Sequence, residues 1–143
     1  MDAQDLTNRA GFAPQGTIDG KMLPLQIVDA FDAGRFSKVP VLAGFNSGEV
    51  RAQRAFVPRP PESPEAYEAA ITARYGDRAE AFLDIYPADD VQGSILATLR
   101  DAIYGWAAER IVRKEAAAGQ PAFMYVFDYC YPAAEAEDLC AFH

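Results

Sequence analysis

Two residues of this sequence could act as a pair on a reacting group. Glu49 closes the stretch Val39-Pro-Val-Leu-Ala-Gly-Phe-Asn-Ser-Gly-Glu49, and His143 is the only histidine. A carboxylate that accepts an imidazole N–H fixes the tautomer, so the other ring nitrogen can take a proton from a nucleophile. That is acyl-transfer chemistry, and it needs a third member. The serines are Ser37, Ser47, Ser63 and Ser94. None has glycine at both second-neighbour positions, as a sharp nucleophile turn requires, and no Gly-Gly run offers an oxyanion hole. Ser47 stands two residues before Glu49, too close for a triad built from separate loops. Asp128 is a rival acid. Either acid could instead be a solvated surface group, and the histidine could be functionless.

The elements that would carry these residues follow from pattern. Val39 to Ala43 is a short apolar run ending at Gly44, which reads as a buried parallel strand delivering Glu49 to its carboxyl edge, where open α/β sheets place their ligands. Phe123 to Tyr129 is aromatic and β-branched, hence a second strand. Between them, Pro58, Pro60, Pro61 and Pro64 exclude a helix interior or central strand. Ser63 then caps a helix with Pro64 at its first position, running to Gly76. Asp77 is expected to cap a second helix that stops at Pro87. Asp89-Asp90 open a long helical segment with Val91, Ile95, Leu99, Ile103, Trp106 and Ile111 at three-to-five spacing, ending at Gly119, with a kink expected at Gly105. Two strands joined by a helical crossover are expected to run parallel, with a right-handed connection. Both would end at one edge, which could bring Glu49 and His143 together.

Upstream, Asp19-Gly20 between Ile18 and Met22 is a hairpin signal. Pro24 to Gly34 carries Ile27, Val28 and Phe31 at helical spacing. The chain is thus expected to be α/β: two long parallel strands, a small N-terminal hairpin and a helical crossover. Residues 1–15 form a loose lead-in; 16–50 hold the hairpin, helix and acid-bearing strand; 51–119 are helical; 120–143 carry the last strand and the loop to His143. Tyr104, Trp106, Phe123, Tyr125 and Phe127 are expected in the core.

Composition excludes several classes. The 143 residues suffice for one domain with a core, and the net charge of -8 with 13 scattered basic residues argues against nucleic acid. No apolar run approaches the roughly 20 residues of a membrane span. The N-terminal residues are not a signal peptide, and a signal on an upstream segment would be invisible, so compartment is open. No Cys/His cluster suggests a metal, and no cofactor is expected. Cys130 and Cys140 could bridge or remain two thiols.

A resemblance sharpens the reading. Gly16-Thr-Ile-Asp-Gly-Lys-Met-Leu-Pro24, Ile27-Val-Asp-Ala-Phe31 and Val39 to Glu49 resemble, in order, the late catalytic domain of type B carboxylesterases. These form the carboxylesterase/cholinesterase-like branch of the α/β hydrolases. Ala66-Tyr67 to Tyr75-Gly76, Tyr86-Pro87, Gln120 to Asp128 and Ala141-Phe142-His143 continue the series. The resemblance implies a serine esterase working through an acyl-enzyme, with Glu49 as triad acid and His143 as base. It places the serine elbow and oxyanion loop upstream of this sequence, so the chain alone is expected to be an inactive fragment. Its partners would be a small-molecule ester and the missing N-terminal half of the domain. Gly48 and Val50 depart from the family, where many members carry Asp before the acid and Gly after it. The alternative is a stand-alone helical interaction module. That accounts for the missing nucleophile and the acidic surface, but not for two strands flanking the helices.

Overall fold

A computed structural model gives the structure of the chain and describes residues 16–51 and 57–129. The chain divides into two compact units, Met1–Ser37 and Lys38–His143. Among the described residues, helices combine with one two-stranded parallel sheet, as a partial α/β fold requires.

In the first unit, the expected hairpin is a loop. The Asp19 carboxylate accepts the Lys21 and Leu23 amides at 2.9 and 3.0 Å, and the Asp19 amide donates to the Leu23 carbonyl at 3.2 Å. These local bonds reverse the chain within five residues and leave no flanking strands to pair. They also hold the Asp19 carboxyl below its usual range. Helix α1 spans Ile27–Asp32, shorter than the sequence pattern suggested. The Arg35 amide closes it by donating to Ala30.

In the second unit, β1 (Val41–Asn46) pairs in parallel with β2 (Ala122–Phe127) from Val41↔Ala122 to Asn46↔Phe127. The parallel expectation holds. Gly44 is demanded by this pairing: a Cβ there would stand 2.3 Å from the Tyr125 carbonyl oxygen and 2.6 Å from its ring. Only glycine lets the Tyr125 ring and backbone approach so closely.

The crossover is helical. Helix α2 (Pro64–Tyr75) begins as its sequence says: the Ser63 hydroxyl accepts the Ala66 amide at 3.2 Å, and Pro64 occupies the first turn. A single 3₁₀ turn, Gly76–Arg78, precedes α3 (Ala79–Ile85); Asp77 lies inside that turn and the Arg78 N-cap makes no side-chain cap bond. Another 3₁₀ turn, Ala88–Asp90, leads to α4 (Val91–Arg100), where the Asp90 carboxylate accepts the Gly93 amide. A π-helical segment, Asp101–Gly105, joins α4 to α5 (Trp106–Ala117). The amide of Trp106 reaches back five residues to the Asp101 carbonyl. The irregularity foreseen at Gly105 is this widened turn, a form that inserts one residue into a helix.

The buried cluster lies among the helices. Tyr67, Ile71 and Ala79 are buried, with Phe82, Leu83, Val91 and Ile95 packed against them. The Tyr67 hydroxyl donates to the Tyr86 carbonyl and the Ser94 hydroxyl to the Pro87 carbonyl, so the buried polar tips are satisfied. Helix α5 packs on both strands. Four of the five aromatics assigned to the core fall elsewhere: Trp106, Phe123, Tyr125 and Phe127 are about half exposed or more, whereas Tyr104 is partly buried. Strand β2 is exposed on both faces: Phe123, Tyr125 and Phe127 share one face with Leu42, since paired residues of parallel strands share a face, and Met124 and Val126 on the other are 43% and 52% exposed.

Candidate active site

At the carboxyl edge of the two strands, the β1 chain turns immediately. The Glu49 amide donates to the Asn46 carbonyl at 3.2 Å, and the Asn46 amide donates to Glu49 Oε1 at 3.1 Å. Backbone and side chain thus close the same turn in opposite directions, as in a capping box. Glu49 is 5% exposed, so the acid is buried at the edge and not displayed to bulk water. Val50 follows at φ 64° and is equally buried. A β-branched residue in this left-handed region is an outlier, strained by about 1–3 kcal/mol. A glycine at position 50 would adopt the angle freely, which gives the departure noted in the sequence its physical content.

Ser47, between Asn46 and Glu49, is bonded through all of its polar groups. Its amide donates to the Phe127 carbonyl at 2.9 Å, extending the strand pairing by one residue. Its hydroxyl donates to Asp128 Oδ1 at 2.6 Å, a short charge-assisted bond between the two strand ends. Its carbonyl lies 3.5 Å from an Arg100 Nη. Asp128, the rival acid, is therefore the acceptor of a neighbouring strand's hydroxyl, next to the Glu49 turn.

Behind this edge stands a second polar group. Arg100 forms a two-pronged ion pair with Asp101, Nε to Oδ1 at 2.7 Å and Nη to Oδ2 at 3.0 Å. The Tyr86 hydroxyl donates to the same Asp101 at 2.9 Å. Asp101 raises the Arg100 guanidinium further above its ordinary value, so Arg100 is a fixed cation. Burial, reinforced by the anion of Asp101, pushes the Tyr86 phenol up to about 12. Arg100 also lies 5.9 Å from the centre of the Phe45 ring in β1, at cation–π range.

The opposite edge holds another buried acid. Glu115 of α5 is 2% exposed, and its Oε2 accepts the Val39 amide at 3.3 Å. Sequence reasoning missed Glu115, Arg100 and the Ser47–Asp128 bond. The adjacent Arg100-Asp101 charges in an otherwise apolar stretch were the available signal for one of them. His143, Cys130 and Cys140 lie outside the described residues. Among the described residues, no group of three His, Cys, Asp or Glu could hold a metal ion, and no helix is long and apolar enough to cross a membrane.

No family model matches the chain. A curated protein does: the chain is 35% identical over 119 residues to fumonisin B1 esterase of Sphingopyxis macrogoltabida. The match takes in 80% of this chain but 22% of that protein, so the chain spans about a fifth of the length of the curated relative it resembles. Sequence similarity thus gives loose support to an esterase affiliation.

Proposed function

We propose that this chain is the acid- and base-bearing part of a serine carboxylesterase of the type B, α/β-hydrolase kind. Glu49 is the acid that accepts the imidazole N–H, and His143 is the base that takes the serine proton and later activates water. The serine and oxyanion hole come from a segment that this sequence does not contain. The substrate of the complete enzyme is a small carboxylic ester. The carrying observation is the position of Glu49: a carboxylate 5% exposed, fixed in the turn at the carboxyl edge of a parallel strand pair. The similarity to an esterase supports the same reading.

Two measurements test it. The 143-residue chain alone is expected to leave a p-nitrophenyl ester intact; hydrolysis sensitive to a serine reagent would overturn the fragment reading. Because the chain has a single histidine, its imidazole gives one unambiguous proton NMR titration. Glu49→Gln removes the negative charge beside the imidazolium and should lower the His143 midpoint by about one unit. An unchanged midpoint would remove Glu49 from the triad.

One observation favours a second reading, a stand-alone helical module. The buried cluster Tyr67-Ile71-Ala79 belongs to the helices and not to the sheet. A cooperative melt, together with a His143 titration indifferent to Glu49→Gln, would select that reading.

A further inference from the structure

We infer that Ser47 and Asp128 form a clasp that positions the triad acid: they lock the Glu49 turn to the end of β2, from which the chain continues toward His143. The inference rests on the reading of Glu49 and His143 given above, and it assigns work to two residues that the reading leaves idle.

The argument is geometric. A triad acid and base carried on different strands need a fixed offset between their loops, because a displacement of about 1 Å at a catalytic group can cost a hundredfold in rate. Backbone pairing alone fixes the strands only as far as their last ladder bond. Here that bond runs from the Ser47 amide to the Phe127 carbonyl. Beyond it, one side-chain bond carries the register further, from the Ser47 hydroxyl to Asp128 at 2.6 Å. The next residues on β1's side are Gly48 and the acid itself.

Ser47 is also fixed from a third direction, through its carbonyl and Arg100. Arg100 is in turn held by Asp101, and Asp101 by Tyr86, so the clasp leans on a braced cation. The Glu49 carboxylate closes its turn on the Asn46 amide, the residue immediately before Ser47. Releasing Ser47 therefore frees one flank of the ring that holds Glu49. A serine hydroxyl suits the task because it is short, it donates, and its anionic acceptor makes the bond roughly twice as strong as a neutral one. Ser47 and Asp128 are positioning residues: neither needs to touch a reacting atom.

The test uses the 143-residue chain as it is. In Ser47→Ala, exchange of the Asn46 amide, which reports the Asn46–Glu49 bond, should speed up about tenfold while the melting temperature stays within a degree or two. Ser47→Thr keeps the hydroxyl and should restore slow exchange. Asp128→Leu removes the acceptor and should match Ser47→Ala. The His143 midpoint should also fall in Ser47→Ala, by less than in Glu49→Gln. Exchange within twofold of wild type in both Ser47→Ala and Asp128→Leu would overturn the clasp. Faster exchange in Ser47→Thr as well would overturn the role of the hydroxyl. The two ideas fail separately: a His143 midpoint indifferent to Glu49→Gln rejects the triad, whereas the Asn46 amide decides the clasp in either case.

Discussion

The two edges of the β1–β2 pair each hold a buried glutamate, and they are held in opposite ways. Glu115, at the amino edge, reaches across 76 residues to take the Val39 amide, tying α5 to the entry of the sheet. Glu49, at the carboxyl edge, takes an amide three residues away in its own turn. A carboxylate whose bond spans the fold is a strut: removing it unties two elements that are distant in sequence. The bond between Asn46 and Glu49 stays within one turn and by itself ties no distant elements together. Burial alone does not separate the two acids; the span of the bond does.

The strongest way to break this contrast is to disrupt both edges together. Gly44→Ala drives a methyl group into the Tyr125 backbone between them, and overpacking against backbone is expected to cost about 3 kcal/mol. A chemical denaturation midpoint close to wild type would show that the strand pair is looser than described.

Glu115→Ala tests the strut alone. Losing the bond from the Val39 amide to a buried carboxylate should cost about 2 kcal/mol, read as a lower urea midpoint with an unchanged slope. If the loss is no larger than for Glu49→Gln, the contrast between the edges collapses.

A smaller effect should come from pH. Tyr86 braces the carboxyl edge through Asp101, and burial raises its phenol from 10.0 to about 12, so the fold favours the protonated form. That contribution is complete below pH 10 and is lost as pH rises through 12. The melting temperature of the wild type should therefore fall more steeply between pH 10 and 12 than that of Tyr86→Phe. Parallel curves would show that Tyr86 does not brace this edge.

The smallest stability effect is expected for Glu49→Gln. The amide oxygen can still accept the Asn46 N–H, so the change should stay below about 0.5 kcal/mol. A loss above 1 kcal/mol would make Glu49 a strut like Glu115.

These contrasts also show how far the sequence could be read. Local chemistry was legible: Ser63 and Pro64 start α2 and Asp90 starts α4, because caps are settled within a few residues. The parallel strands were legible because a helical crossover between two strand-like runs leaves few alternatives. The Asp19-Gly20 hairpin was misread because a carboxylate that bonds two nearby amides competes with strand pairing. The aromatics of β2 were misplaced because apolar composition signals a capacity for burial, not how much of a strand the described helices cover. The Glu115–Val39 and Ser47–Asp128 bonds connect residues whose separation in sequence says nothing about their distance in space. Glu49 itself was legible as a residue at the strand end; its enclosure by its own turn was not.

The π-helical turn at Asp101–Gly105 has a consequence for how one helical run serves two surfaces. Each residue of an α-helix advances the side chains by about 100°, so one extra residue rotates everything after it by that angle. Before the turn, Val91 and Ile95 face the helical cluster of Tyr67 and Ile71. After it, α5 packs on the strands and brings Glu115 to Val39. The inserted residue acts as a phase shifter that lets a single helical stretch address two partners in different directions. Deleting one residue there would restore an unbroken helix and turn Glu115 away from the strand that it anchors.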